Sequence, residues 1–178
     1  MKRQRGLFHT VAWLAIGLAA LVFFHGASAG AASFVVIDLP GPPLSVANGV
    51  ASRQQVGVGV APPFDAEAPR RALLWTGNGE SVVDLGFPNS EALGVSAGQQ
   101  VGYGADPGYL PHALLWTGSA ASVVDLHPAG FTSSAAYGVS AGQQVGAGSF
   151  SPGGLPTHAL LWTGSAESVV DLHPRDFD

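Results

Sequence analysis

Seven residues, Arg71-Ala-Leu-Leu-Trp75-Thr-Gly77, return as His112-Ala-Leu-Leu-Trp116-Thr-Gly118 and again as His158-Ala-Leu-Leu-Trp162-Thr-Gly164. A chain that copies itself must fold by stacking copies of one small unit. Each copy leads into Ser-Val-Val-Asp-Leu, ending at Leu85, Leu126 and Leu172. A second string, Gly94-Val-Ser-Ala-Gly-Gln-Gln-Val-Gly102, returns at Gly138 to Gly146, with a looser copy at Gly49 to Gly57. That looser copy follows Val35-Val36-Ile37-Asp38-Leu39. The period is 41 to 46 residues from Trp to Trp. Periods of this size belong to propellers, solenoids and arrays.

The spacing separates rigid parts from tolerant ones. Trp to Asp is nine residues in all three copies, and glycine to the first Gln is five residues in all three. Between these blocks the spacing changes from copy to copy. A hairpin that changes length slips register and turns its core face to water. Constant spacing therefore predicts two hairpins per unit, and variable spacing predicts loops. Asn78-Gly79 is a tight-turn signal for the first Trp hairpin, replaced later by Ser119-Ala120 and Ser165-Ala166. The second hairpin is predicted to turn at Ala97-Gly98 and Ala141-Gly142.

These segments are too short for helices and rich in β-branched Val, so the predicted class is all-β with short antiparallel strands. Ala-Leu-Leu-Trp shows no polar alternation, which predicts a strand buried on both faces. Each small sheet is then sandwiched between neighbours. The sequence units are 34–60, 71–104, 112–148 and 158–173, with thirteen expected strands. Propellers typically close with at least four four-stranded blades. The count falls short, so the expectation is a β-propeller-like but incomplete, open arc.

His-Ala-Leu-Leu-Trp, Val-Asp-Leu and Gly-Val-Ser-Ala-Gly-Gln-Gln-Val-Gly together resemble the HAF repeat of bacterial extracellular repeat proteins, over residues 34 to 173. The resemblance implies a secreted, propeller-like protein and carries no activity with it. Leu stands where the family name expects Phe, and Ser96-Ala97 where such repeats usually carry Asn-Asp or Asn.

The N-terminus reads as an export signal. Met1 to Arg5 is cationic, Val11 to Phe24 is uncharged and apolar, and Ala27-Ser28-Ala29 is a small-residue cleavage pattern. Residues 1–29 are thus expected to be a signal peptide and 30–178 a β-repeat domain. The alternative is a membrane anchor through residues 7–24. Without residues 1–29, four arginines face 12 acids, a net charge of −8, and no lysine remains. Nucleic-acid binding needs clustered basic side chains, so nucleic acid is excluded as a partner class. No cysteine is present, which removes disulfides, thiolate catalysis and cysteine-ligated zinc.

Candidate chemistry is sparse. Gly94 to Gly98 and Gly138 to Gly142 match G-x-S-x-G, but that string works as a strand-to-helix elbow, and here it falls inside a predicted hairpin. Asp125-Leu-His127 and Asp171-Leu-His173 place acid and imidazole on one face of an extended strand, a conceivable ligand pair. Gly86 breaks that series in the first copy, and Arg71 stands where His112 and His158 stand. No catalytic, cofactor or metal residue is assigned. Trp75, Trp116 and Trp162 are read as packing residues between repeats. Val83, Val124 and Val170 are expected in the core beside them. Tyr103, Tyr109, Phe131, Tyr137 and Phe150 fall in or beside the variable loops and are the candidate ligand contacts.

The expected function is a non-enzymatic secreted or surface-associated protein with a binding, adhesion or structural role. Its partner would be a glycan or another protein, or a second copy through an exposed sheet edge. The competing reading is a hydrolase of extracellular polymers, with Asp84, Asp125 and Asp171 sharing a mouth on the propeller axis. A third reading is a fragment of a longer repeat protein, suggested by the stop soon after Leu172.

Overall fold

The computed structural model describes residues 36–60, 62, 68–77, 81–105, 110–155 and 157–174. The export segment, residues 34 and 35, the Asn78-Gly79 turn and Tyr109 lie outside them. The described residues form three four-stranded antiparallel sheets, none closed, arranged as an open propeller-like arc of repeats. Sheet one holds β1 (Leu44–Ala51), β2 (Gln54–Val60), β3 (Arg70–Thr76) and β4 (Ser81–Asp84) in that order. Sheet two holds β5 (Glu91–Ser96), β6 (Gln99–Gly104), β7 (His112–Trp116) and β8 (Val124–Asp125). Sheet three holds β9 (Ser133–Ser140), β10 (Gln143–Ser149), β11 (Thr157–Trp162) and β12 (Val170–Asp171).

The sheets are phased differently from the sequence units. Each begins with the glycine hairpin and ends with the Val-Asp strand. The Gln-Gln-Val-Gly strand continues across the variable loop to pair with the Trp strand, as in Gly57 with Leu73 and Gly102 with Leu114. A loop outside the ladder can vary in length while the strands it joins stay in register, so spacing alone could not place this pairing. Residues 36–39 form no strand, which leaves twelve strands among the described residues rather than thirteen.

The glycine hairpins turn as their sequence dictates. Ala97-Gly98 and Ala141-Gly142 hold positive φ at both positions (49° and 81°, 49° and 79°), as the tight turn of a right-twisted hairpin requires. Ser52-Arg53 does the same at the first hairpin without a glycine. In the Trp hairpins of sheets two and three, by contrast, only two residue pairs form. Ser122 Oγ there accepts from the Thr117 amide and donates to Ser119 O, building a short 3₁₀ turn at Ala120–Ser122 in place of a tight hairpin.

Two apolar clusters lie between successive sheets. Leu74 and Leu85 of sheet one meet Leu114 and Trp116 of sheet two, and Leu115 and Leu126 of sheet two meet Leu160 and Trp162 of sheet three. The Trp strand is thus buried on both faces in sheet two. Val124 and Val170 are exposed and Val83 is only half-buried, contrary to expectation. The outermost strand leaves its valines outside the core, and the following Leu85 and Leu126 are fully buried instead. Their amides bond Ala72 O and Ala113 O.

Candidate functional site

The repeated Gln-Gln pair shows how polar side chains are used here. Gln100 is fully buried; its Oε1 accepts from the Gly118 amide at 2.8 Å and its Nε2 donates to Gly98 O at 2.9 Å. Gln144 makes the same two bonds, to Gly164 and Gly142. The second Gln therefore ties the glycine hairpin's turn to the loop of the Trp hairpin. Ser96 and Ser140, the serines of the G-x-S-x-G strings, end the strands just before these turns, with no helix after them.

The Asp-Leu-His series forms clamps within single sheets. Asp125 Oδ2 accepts from His112 Nδ1 at 2.9 Å, and its Oδ1 accepts from the His127 amide at 2.7 Å. Asp171 repeats both bonds, to His158 Nδ1 at 2.7 Å and the His173 amide at 2.9 Å. Burial alone would raise the Asp171 carboxyl, but these donors hold it below its ordinary value. The paired imidazoles stack, His112 on His127 at 3.8 Å and His158 on His173 at 4.1 Å. In sheet one, Asp84 Oδ1 accepts from the Gly86 amide, and Arg71 donates to Gly86 O. Each aspartate sits on the outermost strand of its own sheet. Among the described residues, no group of three or more His, Asp or Glu side chains could hold a metal ion.

His127 is also a bridge to the next sheet. A carbonyl only accepts, so His127 Nε2 donates to Phe131 O (3.1 Å), and Nδ1 accepts from the Ser134 hydroxyl (2.8 Å). Ser134 Oγ in turn accepts from the Ala113 amide. Burial, then the neighbouring His112, push the His127 imidazole below its ordinary value, which keeps this neutral tautomer in place. Ser90 occupies the same place between sheets one and two, accepting from the Ala72 amide and donating to Phe87 O.

The candidate contact aromatics fall in two groups. Phe131 and Phe150 stack at 4.1 Å, and His158 meets them edge-on at 6.3 and 5.0 Å. Phe131 also lies over Gly148, where a Cβ would come within 2.6 Å of its ring, as Phe87 lies over Gly104. Phe150 is exposed. Tyr103 belongs elsewhere: its hydroxyl donates to Glu91 Oε2 at 2.8 Å. Tyr137 is exposed at the bulged position of β9. Trp75, Trp116 and Trp162 are all buried, so none offers a stacking face to a ligand.

One polar cluster had no advance notice. Glu91 of β5 accepts from Asn48 Nδ2 of β1 (2.9 Å), from Arg70 of β3 and from Tyr103 of β6, joining sheets one and two. Burial, then the bond to Glu91, raise the Tyr103 hydroxyl above its ordinary value. Asn48, like Leu93 and Tyr137, is the extra residue of a β-bulge in the first strand of its sheet. The signal was a departure from the repeat: Glu91 stands where the other copies carry Val46 and Ala135.

No family model, curated protein or solved structure matches the chain.

Proposed function

We propose that the protein is a non-catalytic, secreted or surface-associated repeat protein that works by binding. One observation carries this reading: the side chains with catalytic chemistry, Asp84, Asp125, Asp171, His112, His127 and His158, are engaged in bonds that hold the repeats themselves. A hydrolytic site on the axis would need the aspartates free and facing one another. Instead each caps its own outermost strand. Export rests on the signal-like residues 1–29, and the resemblance to the HAF repeat points to the same compartment.

The surfaces best suited to contact are the loop around Phe150, beside Phe131 and His158, and, separately, the exposed Tyr137 on β9. Aromatic side chains offer large contact area at low entropic cost, and they stack on the apolar faces of sugars as readily as on protein groups. A glycan array and a cell-binding assay test the proposal. Binding that weakens in Phe150→Ala and Tyr137→Ala supports it. Hydrolytic turnover abolished by one substitution, such as Asp125→Asn, overturns it.

A further inference from the structure

Sheet three repeats a face that sheets one and two bury. Val56 and Val101 occupy equivalent positions on the first two and are both 0% exposed; their counterpart Val145 is 47% exposed. Leu85 and Leu126 are likewise 0% exposed, whereas Leu172 is 49% exposed. The backbone agrees. A Cβ added to Gly49 would lie 2.9 Å from Leu93 O of the next sheet, and one added to Gly94 would lie 2.9 Å from Tyr137 O. One added to Gly138 would meet only Val145 of its own sheet. An open groove of about 300 Å³ runs there, lined by Gly138, Val139, Ser140, Gln143 and Val145.

We propose that this face is a self-association site, at which two copies of the chain pack sheet three against sheet three about a two-fold axis. The internal interfaces argue the occupant: twice in this chain, the same face is the seat of another sheet of the same repeat, there through that sheet's opposite, Trp-bearing face. Repeating that pairing between copies would need a free Trp-bearing face. The opposite end of the arc is closed to a head-to-tail partner, because Leu73 and Trp75 are already buried and Trp75 Nε1 donates to Pro40 O. Pairing like faces leaves that cover undisturbed. The charge pattern also fits. The register places Gly138, Val145, Ala159, Leu161 and Val170 on this face, none of them ionisable. A two-fold contact sets each group near its own copy, so like charges would repel, whereas apolar groups do not. The site is a face rather than a strand edge, and it is independent of the ligand-binding reading above.

Sedimentation velocity on the purified chain, over a wide concentration range, tests the proposal. The expected species is a dimer that does not grow further. Val145→Asp should weaken dimerisation at least about 100-fold, because the two-fold buries the new charge twice. Val50→Asp, at an exposed position of β1, should leave the dimer intact. Circular dichroism checks the fold of each variant, and Leu172→Glu replaces Val145→Asp if the latter does not fold. A wild-type monomer at every concentration, or a dimer unaffected by the sheet-three substitution, overturns the proposal. Open-ended growth overturns the two-fold in favour of head-to-tail stacking.

Discussion

At one end of the arc, Leu73 and Trp75 of sheet one are buried although, among the described residues, no sheet precedes them. Pro40 and Pro42 lie against that face: Trp75 Nε1 donates to Pro40 O, and Pro42 packs where a Cβ at Gly59 would sit. At the other end, Val145 and Leu172 of sheet three lie open to water. The two ends present opposite faces of the repeat, and among the described residues only the Leu-Trp face of sheet one has a flanking segment over it. Stacked repeats gain stability from neighbour interfaces, and terminal units normally need a cap. A short proline-bearing segment caps the first sheet. Among the described residues, the last sheet has no equivalent.

The sharpest way to break this contrast is to remove a Trp from the interior. Trp116→Ala, between sheets one and two, should cost about 3–5 kcal/mol in urea denaturation. A near-zero loss would mean that sheets one and two are not held by that cluster. Equivalent leucines then compare the ends directly. Leu126→Ala, fully buried, should cost about 2–5 kcal/mol. Leu172→Ala should cost under about 1 kcal/mol in a monomeric sample, because its side chain is half in water. Equal losses would show that something covers sheet three.

The glycines sharpen the comparison at the backbone. Gly94→Ala places its Cβ 2.9 Å from Tyr137 O and 3.2 Å from the Gly138 Cα, so two strands must part, at about 1–3 kcal/mol. Gly138→Ala meets only the Val145 methyl and should be near neutral by thermal melting. Comparable losses would place a neighbour against Gly138.

The smallest effect is the pH dependence of the bridge at His127. Its folded value lies below its ordinary 6.5, so the unfolded chain binds the proton more readily. The stabilisation is complete above pH 6.5 and declines as pH falls from 6.5 toward the folded value. His127→Gln should flatten the melting temperature between pH 7.5 and 5.5 relative to wild type. An unchanged slope would assign it to other groups. Asp171 acts lower: its stabilisation is present above 3.8 and is lost as pH falls through its depressed folded value.

Much of the fold was legible because hairpin register is a local property. The Gly-Val and Gln-Gln-Val strands, their Ala-Gly turns and the burial of Trp75, Trp116 and Trp162 follow from fixed spacing and doubly apolar strands. The site was less legible. Asp125 and His112 are neighbours across a hairpin that the spacing predicted, but the bond between their side chains, 13 residues apart, depends on the register in which β7 and β8 pair. Glu91 gathers Asn48, Arg70 and Tyr103 from three other strands, and no local pattern announces such a meeting.

The sequence by itself determined that this chain is all-β, repetitive and made of short hairpins, because β-branched strands, turn chemistry and constant spacing act over a few residues. Only the tertiary structure decided where each sheet begins, since pairing across a variable loop depends on which strand the Gln-Gln-Val ladder finds. It also decided that residues 36–39 form no strand, that Val124 and Val170 face water, and that Val145 and Leu172 are left exposed. Burial depends on which sheet lies opposite, and identical residues in successive repeats meet different neighbours.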